Sequence, residues 1–364
     1  MEEIIRRLLN KKRGKLEGPI SIHLDPTNKC NLQCKFCWQR SHERIGLVDT
    51  KNELSIQKLL GIVNDAAELG VKDWLISGGG EPFVREGIVE VMKEIKKNNM
   101  CGDIITNGTL LTDEIIKDLV ESNWDKIRFS INATSAGLHD LLVGCEGAFD
   151  KAVKAIKQIK KLREELNKKI EIGFNTVINS HNYKEIPLLV EFLHELGGEI
   201  LNLQTIILYS DKEKIYTLDK EQREDLRKYL KRALKISKRY GIKNNISNYL
   251  NEELVDKSNE LAQMDKVIEK KRRTNEFSDS YCFEPFYLVT IRANGIVGSC
   301  RLFGNEGVSI HDKTLKEVWF GDYFEKARAS MLSDSLPDYC KKCGANEFTE
   351  NNRIREELRK NGFN

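Results

Sequence analysis

Between residues 20 and 207 the chain alternates short apolar runs with longer stretches whose apolar positions return every three or four residues. The short runs are ISIHL (20–24), DWLIS (73–77), GDIIT (102–106), IRFSI (127–131), IEIGFNTVI (170–178) and ILNLQTII (200–207). Their length and β-branched content predict strands. The longer stretches predict amphipathic helices. In the first, Ile56, Leu59, Leu60, Val63 and Ala67 share a face, with Ser55 placed to cap the helix and Gly70 to end it. Val91, Met92 and Ile95 mark the next, and Ile115, Ile116, Leu119 and Val120 follow a Thr112 cap. Another helix opens near Tyr183 and closes at Gly197-Gly198. Six such strand–helix repeats predict an α/β protein whose parallel sheet curls into a partial (β/α)6 TIM-like barrel over residues 20–209.

The flanks have other textures. Residues 1–19 carry a short amphipathic helix around residues 4–9. Residues 210–279 are highly charged and helical in pattern, with Leu226, Tyr229, Leu230, Ala233 and Leu234 on one side, and predict a connector. Residues 280–347 turn to short strands, turns and cysteines, which predicts a small second domain, and a polar helical tail fills 348–364.

Charge narrows the picture. The 59 basic and 56 acidic side chains leave a formal net charge of only +3. The runs Lys231-Arg232 and Lys270-Lys271-Arg272-Arg273 therefore read as solvated faces, and neither nucleic acid nor a membrane surface is expected as a partner. No apolar run reaches membrane-spanning length and the start lacks a signal-peptide core, so a cytoplasmic protein is expected.

Seven of the nine cysteines fall into two groups, Cys30, Cys34 and Cys37, then Cys282, Cys300, Cys340 and Cys343. Clustered thiols in a cytoplasmic chain point to metal or redox chemistry before disulfides. Three thiolates on the short loop Cys30-Asn-Leu-Gln-Cys34-Lys-Phe36-Cys37 can wrap one cubane of four irons and leave one iron without a protein donor, open to a small molecule. A zinc site completed by His23 or His42 is the alternative for this loop. The second group has four thiols, enough for a further [4Fe-4S] cluster or for a four-thiolate zinc ribbon. Pro285, Asn294-Gly295 and Gly298 supply turns that bring Cys282 and Cys300 together across a hairpin.

Polar residues gather at the predicted strand ends, where barrels of this type place their chemistry. Gly78-Gly79-Gly80-Glu81-Pro82 follows the second strand and Thr106-Asn107-Gly108 the third. Ser130 and Asn132 end the fourth, and Asn175, Thr176 and Asn179 lie on or after the fifth.

With its aromatic Phe36 before the last cysteine, the CxxxCxxC loop resembles the hallmark of the radical S-adenosylmethionine superfamily. Gly79-Gly80-Glu81 resembles that family's methionine-binding motif, whose glycines allow close backbone approach. The resemblance implies that Cys30, Cys34 and Cys37 hold a [4Fe-4S] cluster. It places Phe36, Gly78, Gly79, Gly80, Glu81, Thr106, Asn107, Ser130, Asn132, Asn175 and Asn179 around S-adenosylmethionine. It also implies reductive cleavage of that cofactor and abstraction of hydrogen from a substrate C–H bond by the radical released.

The spacing from Cys282 through Gly295 to Cys300 resembles the opening of the SPASM extension, and with no cysteine after Cys343 it resembles the shortened, one-cluster twitch form. A second [4Fe-4S] cluster on Cys282, Cys300, Cys340 and Cys343, serving electron transfer, follows from the resemblance. So does a reductant such as ferredoxin or flavodoxin.

The substrate is not written in these motifs. A small molecule such as a sugar, alcohol or nucleotide is expected first, because only about nineteen residues precede the first strand and peptide maturases often carry a further module there. A peptide substrate is the alternative, and a non-enzymatic zinc or iron–sulfur scaffold is the third. Among the remaining residues, Cys145 is a candidate hydrogen-atom donor or thiolate and Glu284 a candidate general base. Cys101 reads as a buried small hydrophobe and His139, Asp140 and Glu146 as surface or capping residues. Gln204 and Tyr209 are placed to line a pocket.

Overall fold

In the computed structural model, residues 1–37, 39, 48–206, 211–250, 280–301, 306–333, 340 and 345–361 are described. Strands β1 (Ser21–Leu24), β2 (Asp73–Ile76), β3 (Cys101–Thr106), β4 (Lys126–Phe129), β5 (Glu171–Ile178) and β6 (Ile200–Thr205) lie side by side in chain order, each parallel to the next. Helices α2 (Ile56–Glu68), α3 (Ile88–Lys97), α4 (Asp113–Glu121), α5 (Ala136–Val143), α6 (Ala148–Glu165) and α7 (Ile186–Glu195) make the crossovers. The predicted caps form. The Ser55 hydroxyl accepts the Lys58 N–H and the Thr112 hydroxyl accepts the Ile115 N–H. These bonds satisfy donors that the helix itself leaves open.

Period-two alternation divides the sheet into two chemistries. Ile22, Leu24, Trp74, Ile76, Ile104, Ile127, Phe129, Ile172 and Phe174 point to the helices and are buried with Val63, Met92, Leu119 and Ile156 in one large core. The residues between them, among them Ser21, His23, Asp73, Asp103, Arg128, Glu171, Asn202 and Gln204, line a cavity of about 960 Å³ inside the curl of the sheet.

The sheet runs past the six predicted strands in both directions. After α8 (Lys220–Tyr240), the short strand β7 (Lys243–Asn244) pairs in parallel with β6. At the other edge β8 (Leu288–Ile291) pairs in parallel with β1. β9 (Ile296–Gly298) and β10 (Val308–Ser309) then add antiparallel. The full order is β10-β9-β8-β1-β2-β3-β4-β5-β6-β7. β7 thus comes from the stretch expected as a helical connector, and β8 from the expected second domain. Both cover edges whose N–H and C=O groups would otherwise stay unpaired.

A second apolar core closes the end of the sheet where the parallel strands begin. Ile5 and Leu8 of α1 (Glu2–Lys12) pack there with Phe283, Phe286, Tyr287, Leu288, Ile354 and Leu358. Met331, at the end of α10 (Asp322–Met331), joins them. α9 (Leu315–Trp319) precedes α10, and Ile354 and Leu358 belong to α11 (Ala345–Lys360). Among the described residues no helix is long and apolar enough to cross a membrane. Cys343, His42, Tyr209 and the run from Lys270 to Arg273 lie outside the described residues.

Candidate active site

The loop after β1 brings its thiols to the end of the sheet where the parallel strands finish. Cys30 is exposed, while Cys34, Phe36 and Cys37 are half-buried. Two backbone bonds pin the loop to the end of α5, Gln33 N–H to the Val143 carbonyl (3.0 Å) and Lys35 N–H to the Leu142 carbonyl (2.9 Å). Leu32 is buried against Val143 and Ala148, with Cys34 and Cys145 packed on the same small cluster.

The glycine turn rests directly on this loop. Gly80 N–H donates to the Thr27 carbonyl (2.7 Å) and Glu81 N–H to the Lys29 carbonyl (2.9 Å). A Cβ on Gly80 would overlap the Lys29 carbonyl, one residue from Cys30. At Gly78 (φ +71°) a Cβ would overlap the Asp25 carboxylate. Only glycine permits both the conformation and the approach.

Glu81 is the hub of this end. Its buried carboxylate accepts the Thr106 hydroxyl (2.6 Å), the Asn107 N–H (2.7 Å) and the Phe83 N–H (3.2 Å). Burial pushes its pKa up to about 7, against the pull of these three donors. From Asn107 the network continues to the cysteine loop, the side-chain amide donating to Asn31 Oδ1 (2.9 Å). Asn31 Nδ2 in turn donates to the Thr109 hydroxyl (2.8 Å). Glu81, Thr106 and Asn107, expected as cofactor contacts, thus use their side-chain polar atoms to bind the glycine turn, the β3 end and the cysteine loop into one unit.

Two other expected contacts have structural work to do. Asn132 Oδ1 accepts the Val177 N–H (2.9 Å), and Asn179 Oδ1 accepts the His181 N–H (2.9 Å) while its amide donates to the Val177 carbonyl (3.0 Å). Both are strand-end caps, and the buried Asn182, which donates to the Asn132 and Val177 carbonyls (both 2.9 Å), locks them together. Asn175 faces its neighbour strand, accepting the Asn202 amide (2.6 Å). Thr176 donates to the Ile131 carbonyl (2.6 Å). The half-buried Ser130 hydroxyl makes no hydrogen bond among the described residues and is the strand-end hydroxyl left available.

Cys282, Cys300 and Cys340 of the second cysteine group sit at the opposite end of the parallel strands. Cys282 precedes β8, which runs parallel to β1, and Cys300 follows β9, which runs back antiparallel. Cys282 and Cys340 pack against the second apolar core. Burial, with Glu284 and Glu306 adding to it, pushes the Cys340 thiol up to about 12. Glu284 N–H points at Cys282 Sγ (3.4 Å), and the buried Glu284 carboxylate lines the cavity 4.0 Å from Arg301 Nε.

Two isolated residues, Cys101 and His139, differ from their expected settings. Cys101 is exposed and lines the cavity rather than filling the core, because it holds the first, inward-facing position of β3. His139 is buried, its Nδ1 accepting the Asn132 N–H (3.3 Å), and burial lowers its pKa to about 4. Cys145 packs with Cys34 on the Leu32 cluster, beside the cysteine loop. Asp140 does cap, accepting the Gly147 (2.6 Å) and Phe149 (2.9 Å) N–H groups at the start of α6.

Sequence reasoning passed over the charged cavity wall. Arg128 and Asp103 form a two-bond pair (3.0 and 2.9 Å), and Arg292 reaches Asp25 (2.7 Å). The signal was available as polar residues at every second position of strands whose other positions are apolar: Ser21-His23-Asp25, Asp103, Arg128, Asn202-Gln204 and Thr290-Arg292.

Cys30, Cys34 and Cys37 supply three thiols on one short loop, the donor type that a cubane takes as one thiolate on each of several irons.

A family model for the radical SAM superfamily matches residues 24–193, and one for an iron–sulfur cluster-binding domain, SPASM, matches 282–344. A tungsten-containing aldehyde ferredoxin oxidoreductase cofactor-modifying protein from Pyrococcus furiosus is 32% identical over 188 residues, 51% of this chain and 51% of the relative. A PqqA peptide cyclase from Granulibacter bethesdensis is 31% identical over 193 residues, 52% of this chain and 48% of the relative. The chain thus spans about half the length of the curated relatives it matches. Streptococcus suis SuiB bound to S-adenosylmethionine shares the fold, with a TM-score of 0.68 at 18% identity over 94% of this chain and 75% of SuiB. The two matched domains imply S-adenosylmethionine and [4Fe-4S] clusters as cofactors. By its two matched domains, the chain belongs to the radical SAM superfamily and carries a SPASM iron–sulfur domain.

Proposed function

We propose that this protein is a radical SAM enzyme that modifies a peptide held in the barrel between two [4Fe-4S] clusters. Cys30, Cys34 and Cys37 would hold the first cluster, and Cys282, Cys300, Cys340 and Cys343 the second. When bound and reduced, the first cluster supplies the electron that cleaves S-adenosylmethionine to a carbon radical able to take hydrogen from a substrate C–H bond. The chain's own residues do the positioning. The Glu81 network holds the glycine turn against the cysteine loop, at the same end of the sheet where Ser130 follows β4.

The observation that supports this reading is that Cys30, Cys34 and Cys37 lie at one end, and Cys282, Cys300 and Cys340 at the other, of the sheet whose inner face encloses a polar cavity of about 960 Å³. That volume lies at the upper end of the range for ligand pockets and accommodates a peptide segment. Likeness to a PqqA peptide cyclase supports a peptide over the small molecule expected from the sequence. A smaller substrate is the second reading, supported by likeness to a protein named for modifying the cofactor of another enzyme.

The test is anaerobic incubation of the reduced, cluster-loaded protein with S-adenosylmethionine and a library of short synthetic peptides. A peptide that loses hydrogen or gains a cross-link by mass spectrometry, in step with 5′-deoxyadenosine, supports the reading. Stimulation of 5′-deoxyadenosine by small metabolites and by no peptide would overturn it in favour of the second.

A further inference from the structure

Midway along the cavity wall, His23 of β1 and Thr290 of β8 are register partners on adjacent parallel strands. Both line the cavity, so their side chains stand next to each other on the inner face. Thr290 is 2% exposed, and its Oγ1 makes no hydrogen bond among the described residues. A buried hydroxyl without a partner costs about 1–3 kcal/mol. The His23 ring, enclosed by the wall but open to the cavity, makes no side-chain hydrogen bond among the described residues either. Burial, together with the charges of Arg301 and Arg128, holds its pKa well below the ordinary value, so the imidazole is neutral. It offers one N–H donor and one nitrogen acceptor.

The charges nearby are matched in pairs. Arg128 is held by Asp103 (2.9 Å), Arg292 by Asp25 (2.7 Å), and Arg301 stands 4.0 Å from Glu284. A charged ligand group at His23 and Thr290 would unbalance this arrangement in a low-dielectric wall. A neutral group with a donor and an acceptor side by side would satisfy both orphan side chains without adding charge. An amide has that form: its C=O accepts the Thr290 hydroxyl and its N–H donates to the His23 ring nitrogen.

We infer that His23 and Thr290 form a subsite for a neutral amide group of the substrate, anchoring it midway between the sheet end that carries Cys30, Cys34 and Cys37 and the end that carries Cys282, Cys300 and Cys340. The inference deepens the peptide reading and rests on it for the identity of the substrate, while the subsite itself is testable without any substrate.

The probe is N-methylacetamide, titrated into the full cluster-loaded chain and followed by saturation-transfer NMR of the probe, with methyl acetate and acetate as comparisons. The amide should bind saturably. Methyl acetate, which lacks the N–H, should bind several-fold more weakly, and acetate no better than the ester. Thr290→Val should weaken the amide by about five- to tenfold, Thr290→Ser should restore it, and His23→Phe should abolish it. Thr290→Val should melt at or above the wild-type temperature, because it removes an unsatisfied hydroxyl, which separates lost binding from lost folding. The inference is overturned if acetate or the ester matches the amide, if no probe saturates, or if Thr290→Val leaves amide binding unchanged. Amide binding with no peptide ever consumed keeps the subsite and removes the peptide reading. Peptide consumption with amide binding indifferent to both side chains does the reverse.

Discussion

The two ends of the barrel are built by different means. At the end where the strands finish, three loops meet through backbone approach and a chain of neutral side chains organised around one buried carboxylate, Glu81. At the end where they begin, Cys282 and Cys340 rest on an apolar core of Phe283, Phe286, Tyr287, Ile354 and Leu358 drawn from the later part of the chain, joined by Ile5 and Leu8 from its first helix. The first arrangement sets loop positions by short hydrogen bonds and tolerates little change. The second covers its thiols with hydrophobic surface. The contrast suits an open site that must admit S-adenosylmethionine at one end and a fully ligated, shielded electron carrier at the other.

Breaking the cysteine loop tests the contrast hardest. Combined replacement of Cys30, Cys34 and Cys37 by alanine should remove about half of the iron and abolish 5′-deoxyadenosine formation, read by iron analysis and chromatography. Replacing Cys282 and Cys340 instead should remove the other half, while S-adenosylmethionine cleavage in the absence of substrate continues. Equal loss of cleavage in both variants would show that the two ends do not have separate tasks.

A gentler probe is Gly80→Ala. The added methyl must displace the Lys29 carbonyl, so a loss of about 1–3 kcal/mol in denaturant unfolding is expected. Iron incorporation should drop at the loop site and not at the lower site. Unchanged stability would mean that the glycine turn does not bear on the loop.

The smallest effect concerns Glu81. Its folded pKa of about 7 lies above the ordinary value of 4.5. Through that window the folded chain keeps a proton that the unfolded chain has released, so this group makes stability fall as pH rises from 4.5 to 7. Glu81→Gln should flatten that part of the stability profile, measured by urea midpoints across the pH range. An unaltered slope would assign the titration elsewhere.

Much of this architecture could be read from residue spacing. The strands β1 to β6, the caps at Ser55 and Thr112 and the meeting of the cysteine loop with the glycine turn all follow from local periodicity and local turn chemistry. What escaped was long-range. β7 holds two residues and β8 four, too short to show a period, and each exists because a sheet edge needed a partner. The backbone bonds of Asn132 and Asn179 escaped for a related reason: a strand-end amide reads the same in sequence whether or not it also caps backbone. His139 looked like a surface residue because nothing in its neighbours announces that its ring nitrogen accepts the Asn132 N–H. The paired charges of the cavity wall were legible as alternation, but only once the inner face is known to enclose space rather than a packed core.

The central claim is that the three-cysteine loop carries a cluster with one iron open to S-adenosylmethionine. Mössbauer spectroscopy of the anaerobic, iron-57-loaded protein tests it directly. Two [4Fe-4S] clusters, about eight irons per chain, should appear, and S-adenosylmethionine should shift the signal of one iron in the protein but none in the variant lacking Cys30, Cys34 and Cys37. A spectrum that the cofactor leaves unmoved, or zinc in place of iron, would contradict the account.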